Sequence, residues 1–516
     1  MLLIKNVTIK DLSNHYLLED FSYSLGNKEK VGIIGEEGNG KSTLLKWIKD
    51  SASIESYTVV SGTMDTDIKH IAYFEQRLHE SWNDSQIFEY LLKQQADDDI
   101  EVEKYNELSE YEELAKDLGL PMDFIQRNQY IQTLSGGEKV KLQLLKIMRT
   151  PMELLLLDEP TNDLDIETLI WLEHFLQQLS IPVMFISHDE VLLERVATQI
   201  IHMEQLNKKT KCKATIFKGN YYDYRKSRMA SRDKEVQLAR KEKQEYVKKK
   251  IKLNDQMNAV HDALNDTVRN PGMAALLKRK MRNIKAVERR FEATGYSHVD
   301  SVEESIDVFF QKTGMPAGKI IIDAQLETIS IGDKLLLKNV GLYIQGNDKV
   351  VFTGRNGSGK SMLMKELYNL LKQREDIRLC YMPQNYSDCF HFQDTPVSFL
   401  LQTNDKEDTK SARELLGRMK FTREEMEHCV FELSEGQKAK LYLIKAIKTG
   451  CNVLLLDEPT RNLSPLTGPA LRKLLSDFDG CIIAVSHDRK LIHEVFTKRY
   501  EIAGQQILPC EVDCEG

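Results

Sequence analysis

The chain has 516 residues, with 71 Lys and Arg against 79 Asp and Glu, a net charge of −8 and 41% hydrophobic residues. This length suits two domains of roughly 200 residues plus a connector, with apolar content for two cores. No apolar run reaches the roughly 18 residues of a membrane span, which argues against a fused membrane domain, and the eight cysteines form no Cys-x-x-Cys pair, which argues against a zinc or disulfide framework.

In chain order, Met1-Leu2-Leu3-Ile4-Lys5-Asn6-Val7 reads as a strand without the layout of a signal peptide, which with the scattered cysteines predicts a cytoplasmic protein. Val31, Ile33 and Ile34 then form a short apolar strand. It runs into Gly35-Glu36-Glu37-Gly38-Asn39-Gly40-Lys41-Ser42, and Thr43 continues into a helix-like stretch. Glycines let backbone N–H groups wrap phosphate oxygens, the helix N-terminus favours their charge and the lysine adds a cation. Ser42 is placed to ligate magnesium. Gln76 follows the apolar Ile71-Ala72-Tyr73-Phe74 and reads as a contact to magnesium and water.

About 50 helical-pattern residues, acidic around Asp97-Asp98-Asp99, precede Leu134-Ser135-Gly136-Gly137-Glu138, which opens an amphipathic helix. Serine hydroxyl, glycine N–H groups and helix N-terminus make an anion site that its own domain does not fill. Leu154 to Leu157 read as a buried parallel strand ending in Asp158-Glu159-Pro160-Thr161. Alternation along a strand divides two tasks, Asp158 for magnesium and Glu159 as general base for water. Thirty residues beyond Asp158, Phe185-Ile186-Ser187 lead to His188, either a core histidine or a γ-phosphate sensor.

All of these elements recur in the same order, which makes the chain a duplication. The second copy has Val350, Val351 and Phe352 before Gly354-Arg355-Asn356-Gly357-Ser358-Gly359-Lys360-Ser361, then Gln384, Leu433-Ser434-Glu435-Gly436-Gln437, Asp457-Glu458-Pro459-Thr460 and His487. His487 again lies thirty residues beyond its aspartate, and this equal spacing favours the sensor reading. Two full sets predict a nucleotide-hydrolysing α/β protein.

The connector, 222–300, separates domains 1–221 and 301–516. It carries 20 Lys and Arg against 11 Asp and Glu, so the rest of the chain is strongly acidic. A helical arm with Val247 and Ile251 in its seam, a turn at Asn270-Pro271-Gly272 and a second arm with Leu277, Met281, Ile284 and Phe291 predict an antiparallel hairpin. A first arm of about 40 residues would reach about 60 Å. Charge runs often serve as solvated spacers; the excess of one sign favours a nucleic-acid backbone, and a long narrow hairpin suits a groove in structured RNA.

At the Leu-Ser-Gly-Gly-Glu segment and its second copy the chain resembles the ATP-binding-cassette superfamily. That resemblance implies two P-loop NTPase cassettes in tandem, packed head to tail within one monomeric chain, each ATP and Mg2+ held between one phosphate loop and the opposite signature. The first copy then supplies Gly35, Gly38, Gly40, Lys41, Ser42, Thr43 and Gln76, with Ser434 and Gly436 from the other side. The second supplies Gly354, Gly357, Gly359, Lys360, Ser361 and Gln384, with Ser135, Gly136 and Gly137 opposite. Ser42, Gln76, Asp158, Ser361, Gln384 and Asp457 would serve the metal, and Glu159, Glu458, His188 and His487 the chemistry.

With the charged helical connector and Gly219-Asn220-Tyr221-Tyr222-Asp223-Tyr224 before it, the whole chain is similar to the ABC-F family of ribosome-associated ATPases. The resemblance implies binding at the E site of the 70S ribosome in the ATP-bound closed form. The hairpin would reach ribosomal RNA and P-site tRNA near the peptidyl-transferase centre, with release on hydrolysis. Cassettes without an arm insertion, a chain ending about thirty residues past His487 and Arg461-Asn462-Leu463-Ser464-Pro465 are similar to the antibiotic-resistance branch, which protects ribosomes from lincosamides, pleuromutilins and streptogramin A. The hairpin tip, around His261 to Met273, would decide which drugs are affected. A housekeeping translation factor is the alternative, and the ATPase subunit of a membrane transporter a more distant one.

Two departures predict unequal sites. Glu435 replaces the first glycine of the signature, and Arg461-Asn462-Leu463-Ser464 replaces Asn162-Asp163-Leu164-Asp165. By the resemblance both face the ATP on Lys41, so that site is expected to be degenerate, unless Glu435 turns to solvent. For adenine, Leu12, His15 and Tyr16 lie in the expected neighbourhood of the first copy and Ile331 in the second, with no clear aromatic platform.

Overall fold

The computed structural model describes residues 2–76, 78–162, 164–206, 211–266, 271–294, 308–332, 334–386, 390–391, 393–403, 405–461 and 463–511. Asp163, Asn270 and Asn462 lie outside the described residues, as do the side chains of Phe291 and Ile331. The fold is α/β, with two tandem P-loop cassettes.

Each cassette is built on a six-stranded sheet of one topology. In the first, the strands run in the order Ile71–Phe74, Leu154–Asp158, Val183–Ile186, Lys30–Ile34, Gln199–Leu206 and Lys211–Lys218, all parallel except the last pair. The second repeats it with Leu379–Met382, Val453–Asp457, Cys481–Val485, Lys349–Gly354, Lys498–Ala503 and Gln506–Cys510. Leu154 to Leu157 are all 0% exposed, as expected of a central parallel strand covered on both faces. Burial of each such leucine contributes about 1.5–3 kcal/mol. This topology brings phosphate loop, carboxylates and switch histidine to the same sheet edge, because all three follow the carboxyl ends of adjacent parallel strands. A smaller antiparallel sheet flanks each cassette, Tyr16–Leu25, Leu2–Asp11 and Thr58–Thr66 in the first and Ile320–Ile331 with Lys334–Gln345 in the second.

The cassettes form one compact unit, with buried ion pairs between them. Arg472, on the helix Gly468–Ser476, reaches Glu190, on the helix Glu190–Val196, at 2.6 and 3.3 Å. The two side chains are only 2% and 6% exposed. Lys490 adds a contact to Glu190 at 3.2 Å and another to Glu194, while Arg489 pairs with Glu173. The first cassette supplies the acids and the second the bases.

Residues 222–301 form a second unit. Its helices are Tyr221–Asp266 and Pro271–Thr294, and 46 residues at the α-helical rise span about 69 Å. Pro271 starts the second helix, where its missing N–H costs nothing. Leu277, Met281 and Ile284 are shielded, in agreement with the expected seam of that arm. The seam of the first arm is different: Leu253, Met257, Val260 and Leu264 are shielded, whereas Val247 and Ile251 are 46% and 54% exposed. At 3.6 residues per turn Ile251 sits about 200° round the helix from Leu253, so both cannot share one face. Among the described residues the lysines of this unit are exposed, as are its arginines apart from the half-buried Arg225, Arg228 and Arg232.

Removing Arg472 leaves the buried Glu190 with the longer contact to Lys490. We predict that Arg472→Ala costs about 3–5 kcal/mol in denaturant unfolding. Gly468→Ala acts in the same direction, since its Cβ would lie 2.4 Å from Glu190 Oε1.

Candidate functional site

At the second phosphate loop the strand Lys349–Gly354 turns into the helix Lys360–Leu371. Gly354 has φ 141°, and a Cβ there would lie 2.6 Å from the Ile502 carbonyl, so both backbone geometry and space require glycine. Gly357 and Gly359 also have positive φ, 75° and 101°. Lys360 is buried and donates to the carbonyls of Gly354 and Arg355 at 2.7 and 2.9 Å, its ammonium held at the mouth of the loop.

This loop borders a cavity of about 690 Å3. Ser361, Gln384, Asp457, Glu458 and His487 line it from the second cassette, and Ser135 and Gly136 face them from the first. Gly137, buried, follows in the signature helix Gly136–Arg149, whose N-cap is Ser135. The head-to-tail pairing expected from the resemblance is therefore the geometry of this chain.

Glu458 has φ 54° and Glu159 φ 51°. Each follows the last residue of its strand, so a left-handed turn, and not simple alternation, swings the glutamate away from its aspartate. Non-glycine residues pay strain for this conformation, which is retained where function requires it.

Asp457 is hydrogen-bonded to Ser361, while its Oδ1 and both ring nitrogens of His487 are buried without a hydrogen-bond partner. Such orphan atoms are costly unless something polar meets them. Burial, then the charge of Asp457, pushes the Glu458 carboxyl well above the usual carboxylate range. Burial, then the Lys360 charge, lowers the His487 imidazole to about 3. Among the described residues no group of three or more His, Cys, Asp or Glu could hold a metal alone. A cation here would thus need oxygens from a bound polyphosphate besides Ser361 and Asp457. The donors of the loop and the orphan acceptors fit such a ligand.

The first loop has the same backbone and different surroundings. Gly35, Gly38 and Gly40 have φ 150°, 83° and 81°, and Lys41, buried, donates to the carbonyls of Gly35 and Glu36 at 2.9 Å each. Ser42 and Thr43 begin the helix Lys41–Lys49. Ser42 Oγ donates to Asp158 Oδ1 at 2.9 Å, and Tyr73 OH to Asp158 Oδ2 at 3.1 Å. Glu159 is occupied: Gln76 donates to it at 2.7 Å, Asn162 at 2.6 Å, and His188 Nε2 lies 3.2 Å away. Burial works to raise this carboxyl, but the His188 ring, Lys41 and Asn162 hold it down at about 2. His188 Nδ1 in turn meets the Leu463 carbonyl of the second cassette at 2.7 Å.

Opposite this loop stands the second signature. Ser434 caps the helix Glu435–Thr449 through a box with Gln437, and the Gly436 N–H donates to Glu37 Oε2 at 3.0 Å. Beside this contact Glu36, Glu37, Asn39, Ser434, Gln437 and Lys440 line a small cleft of about 40 Å3.

The two departures divide: Glu435 lies between Ser434 and Gly436 at the signature opposite the first loop, as expected, whereas Arg461 does not. Glu435 is neutralised on its own helix by Lys438 at 2.8 Å. Arg461 lines the cavity of Lys360, its own cassette, and its charge acts on Asp457 and Glu458; a turn of the chain straight after Glu458 keeps it in cis. Leu463, two residues on, is the part that crosses to the Lys41 side. The roles of Tyr73 and of the acidic pair Glu36-Glu37 escape the motifs because their partners come from distant segments, while Asn162 meets Glu159 only three residues away. Of the residues near adenine, Tyr16 lies under the Lys10 ammonium at 4.3 Å and Leu12 is exposed, whereas the aliphatic Leu336 borders the larger cavity.

The family model described as ABC transporter matches residues 18–162 and 337–461, more than half of the chain. ATP-binding protein Uup of Buchnera aphidicola subsp. Schizaphis graminum is 28% identical over 95% of this chain and 79% of its own length. ABC transporter F family member 5 of Arabidopsis thaliana is 26% identical over 94% and 72%. Among solved structures, the archaeal ribosome recycling factor aABCE1 in complex with ribosomal stalk protein aP1 aligns with TM-score 0.59 and 17% identity, over 98% of this chain and 89% of that one. The RNase-L Inhibitor gives 0.58 and 17%, over 98% and 90%. At this identity the likeness concerns the fold. Among the described residues no helix is long and apolar enough to cross a membrane. Two cassettes, each matched over its phosphate loop and its aspartate, make the chain a member of the ABC transporter family, an ATP-binding ATPase.

Proposed function

We propose that this chain is a cytoplasmic, ribosome-associated ATPase that binds in its closed, ATP-bound form and is released by hydrolysis at the Lys360 site. The observation that carries the ribosome reading is the separate helical unit with 20 Lys and Arg against 11 Asp and Glu in a chain of net charge −8. Exposed basic charge on a long narrow hairpin is suited to the phosphate backbone of folded RNA. The aABCE1 neighbour, named as a ribosome recycling factor, supports the same direction.

At the Lys360 site, backbone N–H groups and the lysine would cradle the phosphates, and Ser135 with the Gly136 helix end would meet the γ-phosphate from across the interface. Ser361 and Asp457 would hold magnesium, which when bound neutralises charge on the phosphate oxygens. Gln384 orients water, His487 faces the γ-phosphate, and Glu458 takes the proton from water. Glu458 must be ionised to do so, and the charges of Lys360 and Arg461 favour that form. Glu159, committed to three donors, is poorly available for the same task, so the sites are unequal for a reason beyond the signature change.

The finer reading is protection of the ribosome from lincosamides, pleuromutilins and streptogramin A, supported by Arg461 with Leu463-Ser464-Pro465; a housekeeping translation factor is the competing one. Glu458→Gln should lower phosphate release by about 10²–10⁴ and Glu159→Gln by less than about tenfold. Equal losses would refute the asymmetry. The double variant should sediment with 70S ribosomes in ATP and not in ADP, and binding should weaken as salt rises and on replacing Lys248, Lys249 and Lys250 with Gln. Absence of ATP-dependent sedimentation would sink the ribosome reading. Drug susceptibility of a deletion strain then separates protection from housekeeping.

A further inference from the structure

The two phosphate loops differ where each meets the other cassette, with Arg355-Asn356 in the second and Glu36-Glu37 in the first. Arg355 extends to Glu167 at 3.0 Å, both side chains largely exposed, and the cavity beside that loop stays wide. On the first loop the acids turn inward. Glu37 accepts the Gly436 N–H at the start of the signature helix. Glu36, 16% exposed, takes Lys440 at 3.4 Å and the Thr467 hydroxyl at 3.3 Å, both from the second cassette. The cleft beside these contacts is about 40 Å3, room for only about three water molecules at roughly 10–15 Å3 each.

A helix N-terminus between two cassettes attracts an anion, and here the chain brings its own. A carboxylate and a γ-phosphate cannot both take the Gly436 N–H, and their like charges repel at that distance. We propose that Glu37 stands in for the γ-phosphate at the second signature, with Glu36 fastening the loop, so that this half closes without ATP on Lys41. One ATP, at Lys360, then suffices to close and reopen the cassettes. The assignment rests on the Lys360 site being the productive one, and it makes Glu37 the residue that decides how many nucleotides closure requires.

The test uses the full chain without ribosomes, so a failure of ribosome binding leaves it intact. ATPase rate against ATP concentration should give a Hill coefficient of about 1 for the unaltered chain and one approaching about 2 for Glu37→Asn, which copies Asn356. A non-hydrolysable ATP analogue should saturate the closed form at about one molecule per unaltered chain and at about two per Glu37→Asn chain, where a phosphate must replace the lost carboxylate. A Hill coefficient near 2 in both chains, or two analogues bound per closed unaltered chain, overturns the proposal.

Discussion

Everything in this molecule depends on an anion site that neither cassette completes. The signature helices start with N–H groups that their own cassette leaves unpaired, and the phosphate loops hold their ligand on one side only. The attraction of a helix end for an anion is worth only about 0.3–1 kcal/mol at an exposed position, too little to align two domains. Alignment is constrained elsewhere: an arrangement that leaves one partner of a buried pair such as Arg472–Glu190 unpaired costs about 3–5 kcal/mol. These ion pairs fix the register of the cassettes, and the weaker signature contacts work within it.

Within that register one motif produces two different carboxyl groups. Asp158-Glu159 and Asp457-Glu458 share strand, turn and positive φ. Their neighbours separate them: Asn162 gives Glu159 a donor, and the charge of the corresponding Arg461 acts on Glu458. Gln76 and His188 close on the first glutamate, while His487 remains 3.7 Å from the second. Identical sequence at the motif is thus compatible with opposite protonation tendencies, because desolvation and partners are set by residues outside it.

This division explains what was legible in the sequence. Strand runs such as Leu154 to Leu157, glycines at Gly354 and Gly35, and the order of motifs are local patterns, and the fold follows from them. Pairings across hundreds of residues were not legible: Glu37 with Gly436, His188 with Leu463 and Arg472 with Glu190 exist only because two cassettes meet. The first arm of the hairpin shows a different limit. Val247 and Ile251 are four apart and apolar, yet in a 46-residue helix dominated by charge that spacing does not reveal which stripe is shielded; the stripe through Leu253, Met257 and Val260 is.

The polarity of the cassette interface carries one more consequence. Glu190 and Arg489 hold corresponding places after His188-Asp189 and His487-Asp488, so the duplicated halves have become electrostatic opposites at their contact. Two first halves from different molecules would set acid against acid, and two second halves base against base, each with buried charge left over. The halves are self-sorting. However crowded the solution, assembly is driven towards one first half with one second half, and joining them in a single polypeptide makes that partner the nearest one.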